Sequence, residues 1–380
     1  MKRVRLHVIH VEMGKELYGG ALQVLYLLNG LKKSAIHLKN TLVCPMDSAI
    51  CKKAKAQGID HKAMPYEGEL DPRLFLRLTS MLQAVKKAEN GAPVVHIHSR
   101  RGADLWGPLA AMATATPYII TRRVDNPEAN SLLYLKYKKA LKVVAISNAI
   151  KEILAGYGIE REKIMVIPSG VDQGRYRPGC RDRLWFNREF HLGTGTKAIG
   201  MVAQFIPRKR HHLLIEAIPD ILKHAPNAVF LFFGKGPLRA DMESLARRLK
   251  VHGACRFPGF REDMARIFPC LDLLVHPAQM EGLGVSVLQA MACGVPVLAS
   301  QSGGLKDIIH HQKTAIALNG PDLRQELAQK IPYLLGDESK ELRNYMVDSA
   351  LKLIDENFSI HSMTAKYIRL YEHLTPSLIP

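Results

Sequence analysis

The sequence is short of acid. Its 35 Asp and Glu face 53 Lys and Arg, which leaves a formal net charge of +18 over 380 residues. Its six cysteines (Cys44, Cys51, Cys180, Cys255, Cys270 and Cys293) form no CxxC pair and no Cys/His spacing. A zinc module is therefore excluded, and the cysteines are expected to be reduced, mostly structural thiols of a cytosolic protein. No Asp-x-Asp occurs anywhere, so a metal held by that motif is not indicated, and neither a metal site nor a bound cofactor is expected. Long apolar runs are missing too. Trp106–Ile120 and Leu283–Ala299 are interrupted by Pro and Gly, and neither suits a membrane span. The amino-terminal MKRVRLHVIHV is too short and too strand-like for a secretory signal. No heptad array, repeat or low-complexity tract appears.

What remains is ordinary for a globular chain, 47% hydrophobic and 23% charged, and long enough for two domains. The excess of cations points to a polyanionic partner: nucleic acid, an anionic membrane face or phosphorylated ligands. Nucleic-acid binders usually carry a basic helix or an aromatic-interleaved patch. Lys136–Lys142 is the nearest approach and is modest, so no nucleic-acid partner is expected.

Hydrophobic patterning predicts strands alternating with helices, the mark of parallel βαβ units. In the first half, strands are expected at Arg5–Val11, His37–Cys44, His61–Met64, Val94–His98, Tyr118–Thr121, Val143–Ile146 and Ile164–Ile167. Gly19-Gly20 opens a helix to Lys33, and a basic helix is expected over Ser131–Leu141. Polar residues fall at three strand ends: His96 and His98, Arg122-Arg123-Val124-Asp125, and Ser147-Asn148. In parallel sheets ligands bind beyond those ends. His96, inside an apolar strand, reads as a core histidine. His98 is equally consistent with a site, and Arg122 and Arg123 favour anion or acceptor contact.

Periodicity lapses between Pro168 and Thr196, a Gly-, Pro- and Arg-rich stretch read as the crossing to a second domain. Strands resume at Ala198–Val202, Val229–Phe233, Cys255–Phe257, Leu271–His276, Val297–Ser300 and Ala315–Leu318. The expected fold class is α/β: residues 1–175 with a carboxyl-terminal helix in 359–380 as one domain, 176–358 as the other, and a cleft between them.

Glu281–Val297, EGLGVSVLQAMACGVPV, holds the densest chemistry. A Gly-Leu-Gly turn feeds a short apolar helix whose first N–H groups lack intrahelical partners, a natural seat for an anion. Glu281, in so apolar a run, needs a partner. Cations at Arg208, Lys209 and Arg210, a glycine turn at Gly234–Gly236 and this loop together suit a diphosphate beside sugar hydroxyls. That combination describes a nucleotide-sugar pocket.

Four segments, IPSGVDQGRYRP, AQFIPRKRHHLLIEA, GKGPLRADMESLA and HPAQMEGLGVSVLQAMACGVPVLASQSGGLKDII, resemble the retaining glycosyltransferases of family 4, which have two Rossmann-like domains in the GT-B fold. The resemblance extends over nearly the whole chain. It implies that Lys209 neutralises the donor diphosphate, with Gln204 where the family usually has arginine and Arg208 or Arg210 nearby. Glu281 matches the first glutamate of the E-x7-E motif, and Gln289 replaces the second, which normally bonds the ribose. Leu283, Gly284 and Val285 match positions facing the diphosphate, and Gly234, Gly259 and Phe260 border the nucleotide. Gly19 and Gly20 match the amino-terminal loop that closes on donor and acceptor. Arg122 or Arg123, with His98 nearby, stands where the family often has a histidine beside the reacting centre. The implied reaction is metal-independent transfer from a nucleotide sugar, a UDP-sugar favoured, with retention. The basic balance suggests a lipid-borne, phosphorylated acceptor at an anionic membrane face, so the expected acceptor is a glycan or glycolipid, lipopolysaccharide core or another envelope glycan favoured, met at the cytoplasmic face of the inner membrane. Two alternatives are a non-catalytic GT-B protein binding a polyanion and a GT-B epimerase or phosphorylase.

Overall fold

The computed structural model describes residues 6–17, 19–34, 38–88, 93–98, 102–128, 134–180 and 182–374. The expected strand starts at Arg5 and His37, the beginning of the helix expected from Ser131, and residues 375–380 lie outside them. The chain forms two compact units, one of residues up to Gly170 together with those from Ile360 onward, the other Val171–Ser359.

The first unit carries a seven-stranded parallel sheet. Its strands are β1 (Leu6–Val11), β2 (Leu38–Pro45), β3 (His61–Met64), β4 (Val94–Ile97), β5 (Tyr118–Arg122), β6 (Lys142–Ala145) and β7 (Ile164–Val166). Their order is β3-β2-β1-β4-β5-β6-β7. All six residues of β1 are buried, which suits a strand covered on both faces. The helix Gly20–Lys33 and the last helix, Ile360–Leu374, pack on this sheet. Leu27 and Leu31 meet Met363, Tyr367, Leu370 and Tyr371 over Val94, Ile119 and Val144. Each such side chain contributes roughly 1.5–3 kcal/mol by leaving water.

The second unit carries a six-stranded parallel sheet, β8 (Lys197–Val202), β9 (Ala228–Phe233), β10 (Cys255–Gly259), β11 (Leu273–His276), β12 (Val297–Ser300) and β13 (Ile316–Leu318). The order is β10-β9-β8-β11-β12-β13. Phe230 and Phe232 on β9 and Ile215 and Ile218 on the helix His211–His224 centre its core.

In each sheet the winding reverses once, between β1 and β4 and between β8 and β11. Such a reversal opens a crevice beyond the carboxyl ends of the two strands, because the following helices leave toward opposite faces. The loops after β1, β4, β8 and β11 are therefore where each unit can hold a ligand.

The expectation of reduced cysteines needs one correction. Cys180 and Cys270 are joined by a disulfide across 90 residues of sequence, whereas Cys44, Cys51, Cys255 and Cys293 are free. The segment after Pro168 folds back beside the turn preceding β11, a contact that spacing along the chain does not encode. Among the described residues, no helix is long and apolar enough to cross a membrane.

Candidate active site

In the second unit the crevice is built from three loops. After β8 the chain makes one 3₁₀ turn at Pro207–Lys209, and Arg210, in the left-handed region at φ 56°, starts the helix His211–His224. After β11 comes the Glu281 loop, and after β12 the pair Gly303-Gly304. Hydrogen bonds tie the three together. Gln279 N donates to the Arg208 carbonyl at 2.8 Å, Ser302 Oγ to the Ala278 carbonyl at 2.7 Å, and Gly304 N to the Glu281 carbonyl at 2.8 Å. Gly303 sits at φ 54°, and a Cβ there would lie 2.3 Å from the Glu281 carbonyl oxygen. Only glycine fits so close a backbone crossing.

These loops aim one carboxylate. Glu281 Oε2 is paired with Lys209 Nζ and lies 3.0 Å from His276 Nε2. Lys209 is 6% exposed and His276, the last residue of β11, 1%. A carboxylate only accepts, so His276 Nε2 is the donor. Burial alone would raise the Glu281 carboxyl. The His276 hydrogen bond and the charges of His276 and Lys209 outweigh it and hold the group at about 2. Glu281 is therefore a fixed anion at neutral pH. His276 has no counterpart among the expected site residues, although its place at a strand end five residues before Glu281 is a usable signal. His211 stacks on Phe205 at 4.3 Å between ring centroids, and burial takes it down to about 3.

The other expected donor residues are placed unequally. Leu283 is buried, and Gly284 caps the helix Val285–Ala292 from the left-handed region without a side-chain cap. Val285 and Gln289 are half-buried on that helix, and Arg208 is half-buried on its turn. Gln204 is exposed after β8. Phe260 is 49% exposed, with Lys235 Nζ 5.2 Å above its ring. Gly234 N donates to the Gly259 carbonyl at 2.9 Å. A Cβ on Gly234 would lie 2.0 Å from the Ala203 carbonyl oxygen. That N–H is occupied by the protein, so Gly234 and Gly259 act here through close backbone packing.

In the first unit the crevice between β1 and β4 is a cavity of about 210 Å³, lined among others by Glu12, Gly19, Gly20, His98, Arg122 and Arg123. Gly19 is the N-cap of the helix Gly20–Lys33 and offers no side-chain cap. Arg122 is the last residue of β5 and is 3% exposed. Its guanidinium donates to Glu128 at 2.5 Å, to Tyr137 Oη at 2.8 Å, and to the carbonyls of Val124 and Asn126. It organises the loop after β5 and has little left for a ligand. Arg123 donates Nη1 to Ser169 Oγ at 3.2 Å, while its Nε and Nη2 find no hydrogen-bond partner. His98 is 2% exposed, and residues 99–101 beyond it lie outside the described residues.

Comparison with known proteins places these two crevices in context. Residues 18–175 match the model described as glycosyltransferase family 4, and residues 185–353 match glycosyl transferases group 1. The chain is 26% identical over 253 residues to an uncharacterized glycosyltransferase of Methanocaldococcus jannaschii, a match covering 65% of this chain and 64% of that one. It is 25% identical over 299 residues to the 2-deoxystreptamine glucosyltransferase of Streptomyces kanamyceticus, covering 74% and 76%. Among solved structures it is similar to a glycosyltransferase from Rickettsia africae (TM-score 0.83, 22% identity, 97% and 98% covered). It is also similar to HepE of Anabaena in complex with UDP and glucose (TM-score 0.82, 17% identity, 97% and 100% covered). With both halves matched and the double parallel-sheet architecture in common, the chain belongs to the group 1 and family 4 glycosyltransferases of the GT-B fold.

Proposed function

We propose that this protein transfers a sugar from a nucleotide-sugar donor to a hydroxyl of a glycan or glycolipid acceptor, without a metal and with retention of configuration. The observation that carries the reading is the ionised Glu281 carboxylate held by Lys209 and His276 at the β8/β11 crevice. A carboxylate fixed in this way can accept from sugar hydroxyls. Lys209 and the uncapped start of the helix Val285–Ala292 can hold the charge that grows on a departing diphosphate. No side chain is assigned as nucleophile, so the acceptor hydroxyl attacks on the face the diphosphate leaves and gives its proton to the departing phosphate oxygen. UDP is the nucleotide to test first, since the structurally similar Anabaena protein was solved with UDP-glucose.

The acceptor side of the reading rests on charge. A surface at +18 favours an anionic membrane face and a phosphorylated glycolipid. Structural neighbours named as lipopolysaccharide enzymes share the fold at TM-scores of 0.71 and 0.66. We therefore favour an envelope glycan such as lipopolysaccharide core, built at the cytoplasmic face of the inner membrane.

A thermal-shift panel of UDP-, GDP- and ADP-sugars tests the donor. One nucleotide series should stabilise the protein, and the response should vanish in Glu281→Ala. Equal indifference to all three in a folded protein would leave the polyanion-binding alternative. Co-sedimentation with liposomes should require anionic lipid and weaken with salt, and binding to neutral vesicles alone would refute the membrane account.

A further inference from the structure

β11 reads Leu-Leu-Val-His, and all four residues are buried. His276, at its end, pairs in register with Ala299 of β12. Among the described residues its imidazole makes one hydrogen bond, from Nε2 to Glu281 Oε2 at 3.0 Å, and Nδ1 is buried with no partner. A leucine would suit so apolar a strand better, since a buried ring with one nitrogen unsatisfied gives up its hydration for a single bond. The polar function of His276 is therefore directed at one carboxylate oxygen.

Lys209 Nζ donates to the same oxygen. No hydrogen bond from the described residues reaches Glu281 Oε1, and the side chain keeps 19% of its surface open. The two donors differ in how firmly they are set. His276 stands on a strand and carries its ring on a short stem. Lys209 ends the turn Pro207–Lys209 and reaches Glu281 on a flexible four-carbon stem. A diphosphate entering the crevice competes with Glu281 for that ammonium, and one positive charge cannot neutralise both anions. As Lys209 turns to the phosphate, His276 is the partner that still holds Glu281.

We propose that His276 is a positioning residue that retains the Glu281 carboxylate when the diphosphate of a nucleotide sugar draws on Lys209, so that Glu281 Oε1 stays aimed at the sugar hydroxyls. This rests on the reading of the β8/β11 crevice as the donor site. The two partners of Glu281 then have different tasks. Lys209 is shared between carboxylate and phosphate, whereas His276 stays with the carboxylate throughout. The ligand class is an anionic diphosphate joined to a polyol, the anion at Lys209 and a hydroxyl donating to Oε1. His276 touches neither part and acts through Glu281.

The test is a mutant cycle on UDP binding, read by calorimetry on the full-length protein, with GDP and ADP run in parallel. In His276→Leu the pull on Lys209 strands the carboxylate, so UDP should bind about tenfold more weakly than to wild type. In Lys209→Met/Glu281→Gln there is neither a cation to share nor a carboxylate to retain. Adding His276→Leu to that background should therefore change UDP affinity by less than about twofold. A ring that only packs the strand would weaken UDP by the same factor in both backgrounds, and that result would overturn the proposal. Undiminished affinity in folded His276→Leu would overturn it as well. His276→Phe, which keeps a ring but cannot donate, supplies the same cycle if the leucine variant does not fold. Failure of folded wild-type protein to bind any of the three nucleotides is a separate outcome, which would sink the donor-site reading and this proposal with it.

Discussion

Replacing Lys209 by Met removes one partner of a buried ion pair and leaves Glu281 to His276 alone. The two side chains are 8% and 19% exposed, so solvent does little to screen the loss. Glu281 is held at about 2 against an ordinary 4.5. At 1.36 kcal/mol per unit, that depression stands for about 3 kcal/mol of stability, which His276 and Lys209 share, so it bounds the part that Lys209 supplies. Removing one partner of a buried pair also leaves the other charge uncompensated, at a cost of roughly 3–5 kcal/mol, and the lower end of that range applies here because His276 still holds Glu281. The second unit spans residues 171–359, a size at which 1 kcal/mol moves the midpoint by about 2–4 °C. Lys209→Met should therefore melt about 6–12 °C below wild type at pH 7 in differential scanning calorimetry. The sign with pH follows from the depressed carboxyl. Its contribution is complete above pH 4.5 and is lost as pH falls through 2, so the gap between wild type and variant should close on acidification. Lys209→Met/Glu281→Gln, which removes both charges, should recover most of the loss. A single variant melting within about 2 °C of wild type, or a double variant no better than the single, would refute the view of Lys209 and Glu281 as one coupled buried unit.

Gln289→Glu restores a charge-assisted acceptor where the family keeps glutamate. It should tighten nucleotide binding by about 1 kcal/mol, roughly fivefold, in calorimetry. Gly303→Ala places a methyl 2.3 Å from the Glu281 carbonyl oxygen and should abolish donor-induced thermal stabilisation. Normal turnover in that variant would mean the three loops move freely. Opening the Cys180–Cys270 bond, which spans 90 residues, should lower the denaturation midpoint by an amount worth about 4–5 kcal/mol on chain-entropy grounds. A reducing cytosol disfavours such bonds, so intact mass after alkylation in the cell should show free thiols if the protein works there.

The alternation of strand and helix patterns located each of the thirteen described strands to within two residues. It did so most readily where a strand is a buried apolar run such as β4, and through its place in the alternation where, as in β2 and β3, polar residues interrupt it. Glu281 was legible for a related reason, a charge in an apolar run that demanded a partner. Its nearer partner Lys209 was legible through charge, whereas His276 is marked only by its place at a strand end shortly before Glu281, a signal that many core strands ending in histidine share. Arg122 and Arg123 are adjacent and look equivalent in sequence. They diverge because Glu128 and Tyr137, brought over by the loop after β5, engage the first and leave part of the second without a partner. The disulfide joins residues from separate segments, and nothing local marks it.

The last helix belongs to the first unit, and this orders the birth of the molecule. A ribosome that has finished residue 170 has not yet made Tyr367, Leu370 or Tyr371, which cover the sheet of that unit. At 5–20 residues per second those side chains arrive roughly 10–40 s later. The second unit, encoded without interruption, can close first, while the amino-terminal sheet waits with an apolar face open to chaperones. Loss of the final fifteen helical residues would therefore injure the half of the protein made earliest, and would do so as a failure of maturation.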